Sequence, residues 1–148
     1  MEALKSITPG ELADIKTAID KAEIRTSGEI RVYIEDHSED GPLDRAAYLF
    51  EKIGMRKTDL RNGVMIYVAL KDRKFSIIGD QGIHAKVGDG FWDAIKEKMI
   101  QHFKEGRIYE GLLVGIHDSG EALSVHFPYI AGDRDELSND VIFGAPEL

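Results

Sequence analysis

The run Val64-Met65-Ile66-Tyr67-Val68-Ala69-Leu70 is almost wholly apolar, with Asn62-Gly63 before it and Lys71-Asp72-Arg73-Lys74 after it. A strand that is apolar on both faces is stable only when both faces are covered. The segment therefore predicts the central strand of a layered α/β sheet. Phe75-Ser76-Ile77-Ile78-Gly79 resumes directly after the polar turn, which is hairpin spacing, so these two strands should run antiparallel. Upstream, Ile30, Val32 and Ile34 alternate with Glu29, Arg31, Tyr33 and Glu35, the period-two signature of another strand with one apolar face.

Helical signals surround these strands. Thr8-Pro9-Gly10-Glu11 has the form of a capping box with Pro at the first helical position. Leu12, Ile15, Ile19 and Ala22 follow at helical spacing, and Gly28 marks the break. A second helix is expected over 43–53, with Leu43, Ala46, Ala47, Phe50 and Ile53 on one face and Gly54 as its stop. Strand, helix, then central strand is a βαβ crossover, so the first two strands should be parallel.

Beyond the hairpin comes a short segment around 83–87. A helix capped by Asp89 then carries Phe91, Trp92, Ile95, Met99, Ile100 and Phe103, and a last helix covers about 108–125. Gly111, Gly115 and Gly120 lie inside that last helix, each at a cost of up to ~1 kcal/mol relative to Ala. Their repetition implies that the helix lies close against a neighbour. The fold class expected is α/β: a mixed central sheet with an antiparallel hairpin and a parallel crossover, flanked by about four helices. The domain should span 8–127, with an irregular tail over 128–148 in which Val141-Ile142-Phe143 forms a short edge strand.

Composition removes several classes of function. The 148 residues suffice for one domain with a real core. A net charge of -8, with scattered Lys and Arg, opposes binding to nucleic acid or to anionic lipid. No Cys is present, which excludes disulfides, a thiolate nucleophile and Cys-based zinc sites. No leader and no apolar run long enough to span a bilayer is visible, so direct membrane insertion is not expected and a cytoplasmic address is the default. Phosphate-binding loops, dinucleotide fingerprints, nucleophile elbows and HExxH are all missing, and His37, His84, His102, His117 and His126 are dispersed.

Strand direction supplies the chemistry that motifs do not. The end of the third strand at Asp80 should lie beside the start of the second at Asn62-Gly63, and beside the start of the first at Ser27-Gly28-Glu29. Loops carrying Asp59 and Asn62 would then meet those carrying Asp80, Gln81 and Asp89. Carboxylates brought together repel unless a proton or cation intervenes. Oxygen donors on Gly-rich loops suit Ca2+, with Mg2+ as the alternative if water completes its octahedron. The candidate metal ligands are Asp59, Asn62, Asp80 and Asp89, with Glu29, Gln81 and His84 as additions. Asp36, Asp40 and Asp44 form a weaker second candidate at the opposite end. The same acids, with Arg61 and Arg56 nearby, would also suit metal-assisted phosphate ester hydrolysis.

Several segments resemble the TPM domain family: Ser27-Gly28-Glu29-Ile30-Arg31-Val32, the stretch from Arg61 to Ala69, Asp72-Arg73-Lys74, Gly79-Asp80-Gln81-Gly82-Ile83, and the stretch from Phe103 to Leu112. The family includes thylakoid-lumen proteins linked to photosystem II repair and many bacterial membrane-anchored or secreted proteins. The resemblance covers about 8–127 and implies a bacterial single-domain member with a central sheet flanked by helices. It also implies calcium or magnesium binding, or acid phosphatase activity as proposed for a plant member, with Asp59, Asn62, Asp80 and Asp89 as the matching loop residues. Where many relatives carry an acid, this chain has His84, and the usual leader and C-terminal membrane segment are not seen. The expected function is a divalent-cation-binding domain with an adaptor or stress and assembly role. The alternatives are a metal-assisted phosphomonoester hydrolase and a structural protein-interaction domain.

Overall fold

A computed structural model describes residues 7–129 and 141–144. In chain order the elements are α1 (Pro9–Ile24), β1 (Glu29–Glu35), α2 (Pro42–Lys52), β2 (Gly63–Ala69), β3 (Lys74–Gly79), α3 (Gln81–Val87), α4 (Asp89–Phe103), α5 (Ile108–His126) and β4 (Ile142–Phe143). The sheet order is β3-β2-β1-β4. β1 and β2 run parallel, with Glu29 opposite Gly63, and β2 and β3 form the expected antiparallel hairpin. β4 adds to the free side of β1 in parallel, with Tyr33 opposite Ile142, as the short edge strand anticipated near the C-terminus. The rest of the tail, 130–140 and 145–148, lies outside the described residues.

The helix start is the one its sequence encodes. The Thr8 hydroxyl accepts from the Glu11 N–H at 3.1 Å while the Glu11 carboxylate accepts from the Thr8 N–H at 3.0 Å. α1 buries Ile15 and Ile19 completely. With α4 and α5 it covers one sheet face, where Ile30, Val32, Ile34, Val64, Ile66 and Val68 meet Trp92, Ile95, Met99, Leu112 and Ile116. Burial of each such side chain contributes roughly 1.5–3 kcal/mol. α2 covers the other face, packing Ala46, Leu49 and Phe50 against Tyr33, Met65 and Tyr67. Leu43, expected on that inner face, is 59 % exposed, although the Pro42 carbonyl beside it accepts from the Ser76 hydroxyl of β3 at 2.9 Å.

The glycines of α5 serve close packing. A Cβ at Gly111 would stand 2.3 Å from the Phe103 ring, one at Gly115 2.9 Å from Met99 Sδ, and one at Gly120 2.8 Å from the Ala22 Cβ. α5 therefore presses against α4 and α1 at distances no larger residue permits.

β1 departs from the half-exposed pattern its alternation suggests, for every residue in it is buried. Its polar side chains are neutralised in place. Arg31, 2 % exposed, lies 3.3 Å from Glu23 and 3.2 Å from Glu29. Glu35 receives both Arg45 Nε at 2.8 Å and Arg45 Nη2 at 3.1 Å, together with the Tyr67 hydroxyl. Burial first, then the hydrogen bond to Glu35, pushes the Tyr67 phenol well above its ordinary pKa of 10.0.

A phenol shifted upward in this way stabilises the fold while it stays neutral. The contribution is complete below the unfolded value and drains away as pH rises past it. Tyr67→Phe is expected to cost about 1.5–3 kcal/mol at neutral pH, for the lost bond to a charged acceptor. It should also flatten the fall in urea midpoint between about pH 9 and pH 11. Equal alkaline slopes in parent and variant would show that Tyr67 is not their source.

Candidate functional site

The loop before β2 and the start of α3 are tied together at the rim where β1 and β2 begin. Asp80 N–H donates to the Gly63 carbonyl at 2.9 Å, and Gly82 N–H donates to the Arg61 carbonyl at 2.8 Å. Gly82 is required there, since a Cβ would fall 2.1 Å from the Leu60 carbonyl oxygen and 2.6 Å from that of Arg61. Arg61 itself adopts φ +52°, a left-handed conformation costing a non-glycine residue about 1–2 kcal/mol.

That backbone delivers the Arg61 guanidinium onto Asp80 in a two-pronged pair. Nε reaches Oδ2 at 2.7 Å and Nη2 reaches Oδ1 at 2.8 Å. Oδ1 also accepts from the Gln81 N–H at 2.8 Å, so Asp80 caps α3. The Asp80 side chain is 4 % exposed and that of Arg61 32 %, so the acid is enclosed and the base reaches water. The hydrogen bond to Asp80 is the main reason the Arg61 pKa is raised. Arg61 and Asp80 line a cleft of about 270 Å³ with Arg56, Gln81 and His84. Arg56 is paired with Glu51 at 3.1 Å.

The other candidate ligands distribute around this pair. Asp59 is exposed on the same loop, and Asn62 is buried with its amide nitrogen 3.4 Å from Ser27 Oγ. Gln81 is exposed as the first residue of α3. Glu29 turns beneath β1 to Arg31. Asp89 does not cap a helix as expected: Gly88 holds the N-cap position of α4, and the Asp89 side chain, 92 % exposed, lies 3.4 Å from His84 Nε2.

His84 Nδ1 accepts from the Trp92 indole N–H at 3.1 Å. Because an indole nitrogen only donates, neutral His84 keeps its proton on Nε2, facing Asp89. A metal at Nε2 would require that proton to move to Nδ1, against Trp92. His84 is thus held away from ligation, a pairing across two helices that sequence spacing does not reveal. Among the described residues, no three His, Asp or Glu side chains converge to hold an ion in this conformation.

At the opposite end, Asp40 and Asp44 are exposed and Asp36 is half-buried. The organising acid there is Asp72, which accepts from the Ser38 N–H at 2.7 Å and pairs with His37 Nδ1 at 2.8 Å. The His37 contact is the first cause holding the Asp72 carboxyl below its ordinary range. These bonds close the β2–β3 turn against the segment after β1.

The TPM domain model matches residues 3–122, most of the chain. The chain belongs to the TPM domain family. Its TPM domain is similar to the BA42 protein of the psychrophilic bacterium Bizionia argentinensis, at 44% identity and a TM-score of 0.87, covering 93% of this chain and 95% of that one. The N-terminal domain of a P. gingivalis protein shares the fold at 22% identity and a TM-score of 0.68, over 82% of this chain and 78% of that one. So does the N-terminal domain of Corynebacterium glutamicum cg2496, at 19% identity and a TM-score of 0.62, over 79% of this chain and 74% of that one. No curated protein matches the chain. Among the described residues, no helix is long and apolar enough to cross a membrane.

Proposed function

We propose that this TPM domain binds a divalent cation, calcium ahead of magnesium, at the rim where the 58–62 loop meets α3, the ion exchanging with Arg61 for the carboxylate of Asp80. The observation that carries this reading is the uneven enclosure of the pair: Asp80 at 4 % and Arg61 at 32 % side-chain exposure. A carboxylate so enclosed needs a countercharge, because burying it alone costs far more than the fold can offset. Arg61 supplies that charge from the water-facing side and can return to solvent when another cation replaces it.

Asp59 is a second acid on that loop, and waters would complete the shell. The irregular oxygen set fits calcium, which tolerates 6–8 donors in flexible geometry, better than magnesium. Since the ion must displace an existing pair, the affinity should be weak, with Kd on the order of 10⁻⁴–10⁻³ M. Binding without turnover suits an adaptor or assembly role. Hydrolysis, the alternative, would need Arg56, which Glu51 holds at 3.1 Å, or an Arg61 released from Asp80 by the ion, to clamp the phosphate.

Amide shifts during calcium and magnesium titration test the proposal. Saturable changes confined to residues 59–62 and 80–82, larger for calcium and lost in Asp80→Asn, are expected. Shifts that spread over the acidic surface without saturating would reject it.

A further inference from the structure

The opposite end of the sheet holds a second cleft, of about 530 Å³, in the size range of small-ligand pockets. It opens between the β2–β3 hairpin and the α4–α5 turn. Phe75 from β3 and Phe103 from α4 form one wall, edge to face with centroids 4.9 Å apart. Val68, Leu70, Ile100 and Ile108 add to the apolar interior. Behind that wall Gly111 of α5 packs directly on the Phe103 ring, where a Cβ would fall 2.3 Å from it.

The rim is basic. Arg73, Lys74 and Lys104 border the opening, all three exposed, and none has an ion pair to a carboxylate among the described residues. Neighbouring acids are engaged elsewhere: Asp72 with His37 at 2.8 Å, and Glu105 with Arg107 at 3.5 Å. Arg73 is held at φ +54°, a left-handed conformation that non-glycine residues keep chiefly where the surroundings impose it. On a chain with net charge -8, an apolar hollow ringed by three cations without an ion pair among the described residues is a local reversal of sign.

We propose that this cleft binds a small amphipathic organic anion, a free carboxylate with a medium-length acyl or aryl tail. The tail packs on Phe75 and Phe103, and the carboxylate meets Arg73, Lys74 and Lys104. Apolar burial supplies the affinity and the cationic rim selects the head group. This site is independent of the Asp80 rim, and its signals come from different amides.

Titration of the full chain with octanoate, followed by amide shifts, is the test. Saturable changes at 70–75 and 100–108 are expected, with octanamide, the uncharged counterpart, binding about tenfold more weakly. The double variant Lys74→Gln, Lys104→Gln alters only exposed side chains and should lose about tenfold in octanoate affinity while keeping the parent spectrum elsewhere. No saturable shift with octanoate, or equal binding of octanamide and octanoate, would overturn the proposal.

Discussion

Replacing Arg31 with Met is expected to destabilise the domain by about 3–5 kcal/mol, the range seen when one member of a buried ionic cluster is removed. Arg31 is 2 % exposed in the middle of β1, and Met would fill much of its volume. What Met lacks is charge. Glu23 and Glu29, 8 % and 3 % exposed, would be left without the guanidinium that lies 3.3 and 3.2 Å from them. Removing one of those acids as well should recover part of the loss, so Arg31→Met with Glu29→Gln ought to be more stable than Arg31→Met alone. Urea unfolding of both variants measures this. A loss below about 1 kcal/mol for Arg31→Met would mean that Arg31 is not what compensates the two acids.

Gly82→Ala should be the next most damaging single change, at about 2–3 kcal/mol. Helix propensity argues the other way, since Ala in a helix is favoured over Gly by about 1 kcal/mol. The decision comes from contact: the new Cβ would lie 2.1 Å from the Leu60 carbonyl oxygen and 2.6 Å from that of Arg61. Both atoms are backbone and cannot rotate aside. The loop must retreat, and the Gly82-to-Arg61 hydrogen bond at 2.8 Å must lengthen or break. Gly90→Ala is the control, because its Cβ would meet nothing within 4 Å in α4. It should stabilise by up to about 1 kcal/mol. If thermal unfolding ranks the two variants alike, the close approach at Gly82 is not what holds this rim.

The parts of this fold legible in the sequence are those set by local physics. Thr8 and Glu11 announce the start of α1, the polar turn after Leu70 announces the hairpin, and the spaced glycines of α5 announce its close packing. The tie between the Asp59 and Asp80 loops also follows from strand direction alone, and the bonds from Asp80 and Gly82 to Gly63 and Arg61 realise it.

Less legible were the features made by residues far apart in the chain. Alternation in β1 gives no sign that its polar face is buried as well, because the neutralising partners Glu23 and Arg45 lie outside the strand. Strand order brings Arg61 near Asp80, but a reading by spacing treats Arg61 as a phosphate clamp. It adopts a left-handed φ of +52° and lies on the acid instead, in a loop whose carbonyls Gly82 approaches from another element. The His84–Trp92 bond spans the break between α3 and α4, so no single helical periodicity displays it.

If Arg61 is the resident countercharge of Asp80, removing it should help an incoming ion. Calorimetric calcium titration of the parent and of Arg61→Gln measures that competition directly. Binding about five- to tenfold tighter in the variant is the expected result, matching the release of a partly exposed pair worth about 1 kcal/mol. Equal or weaker calcium binding in Arg61→Gln would contradict exchange at Asp80 and leave the pair as a structural tie between loop and helix.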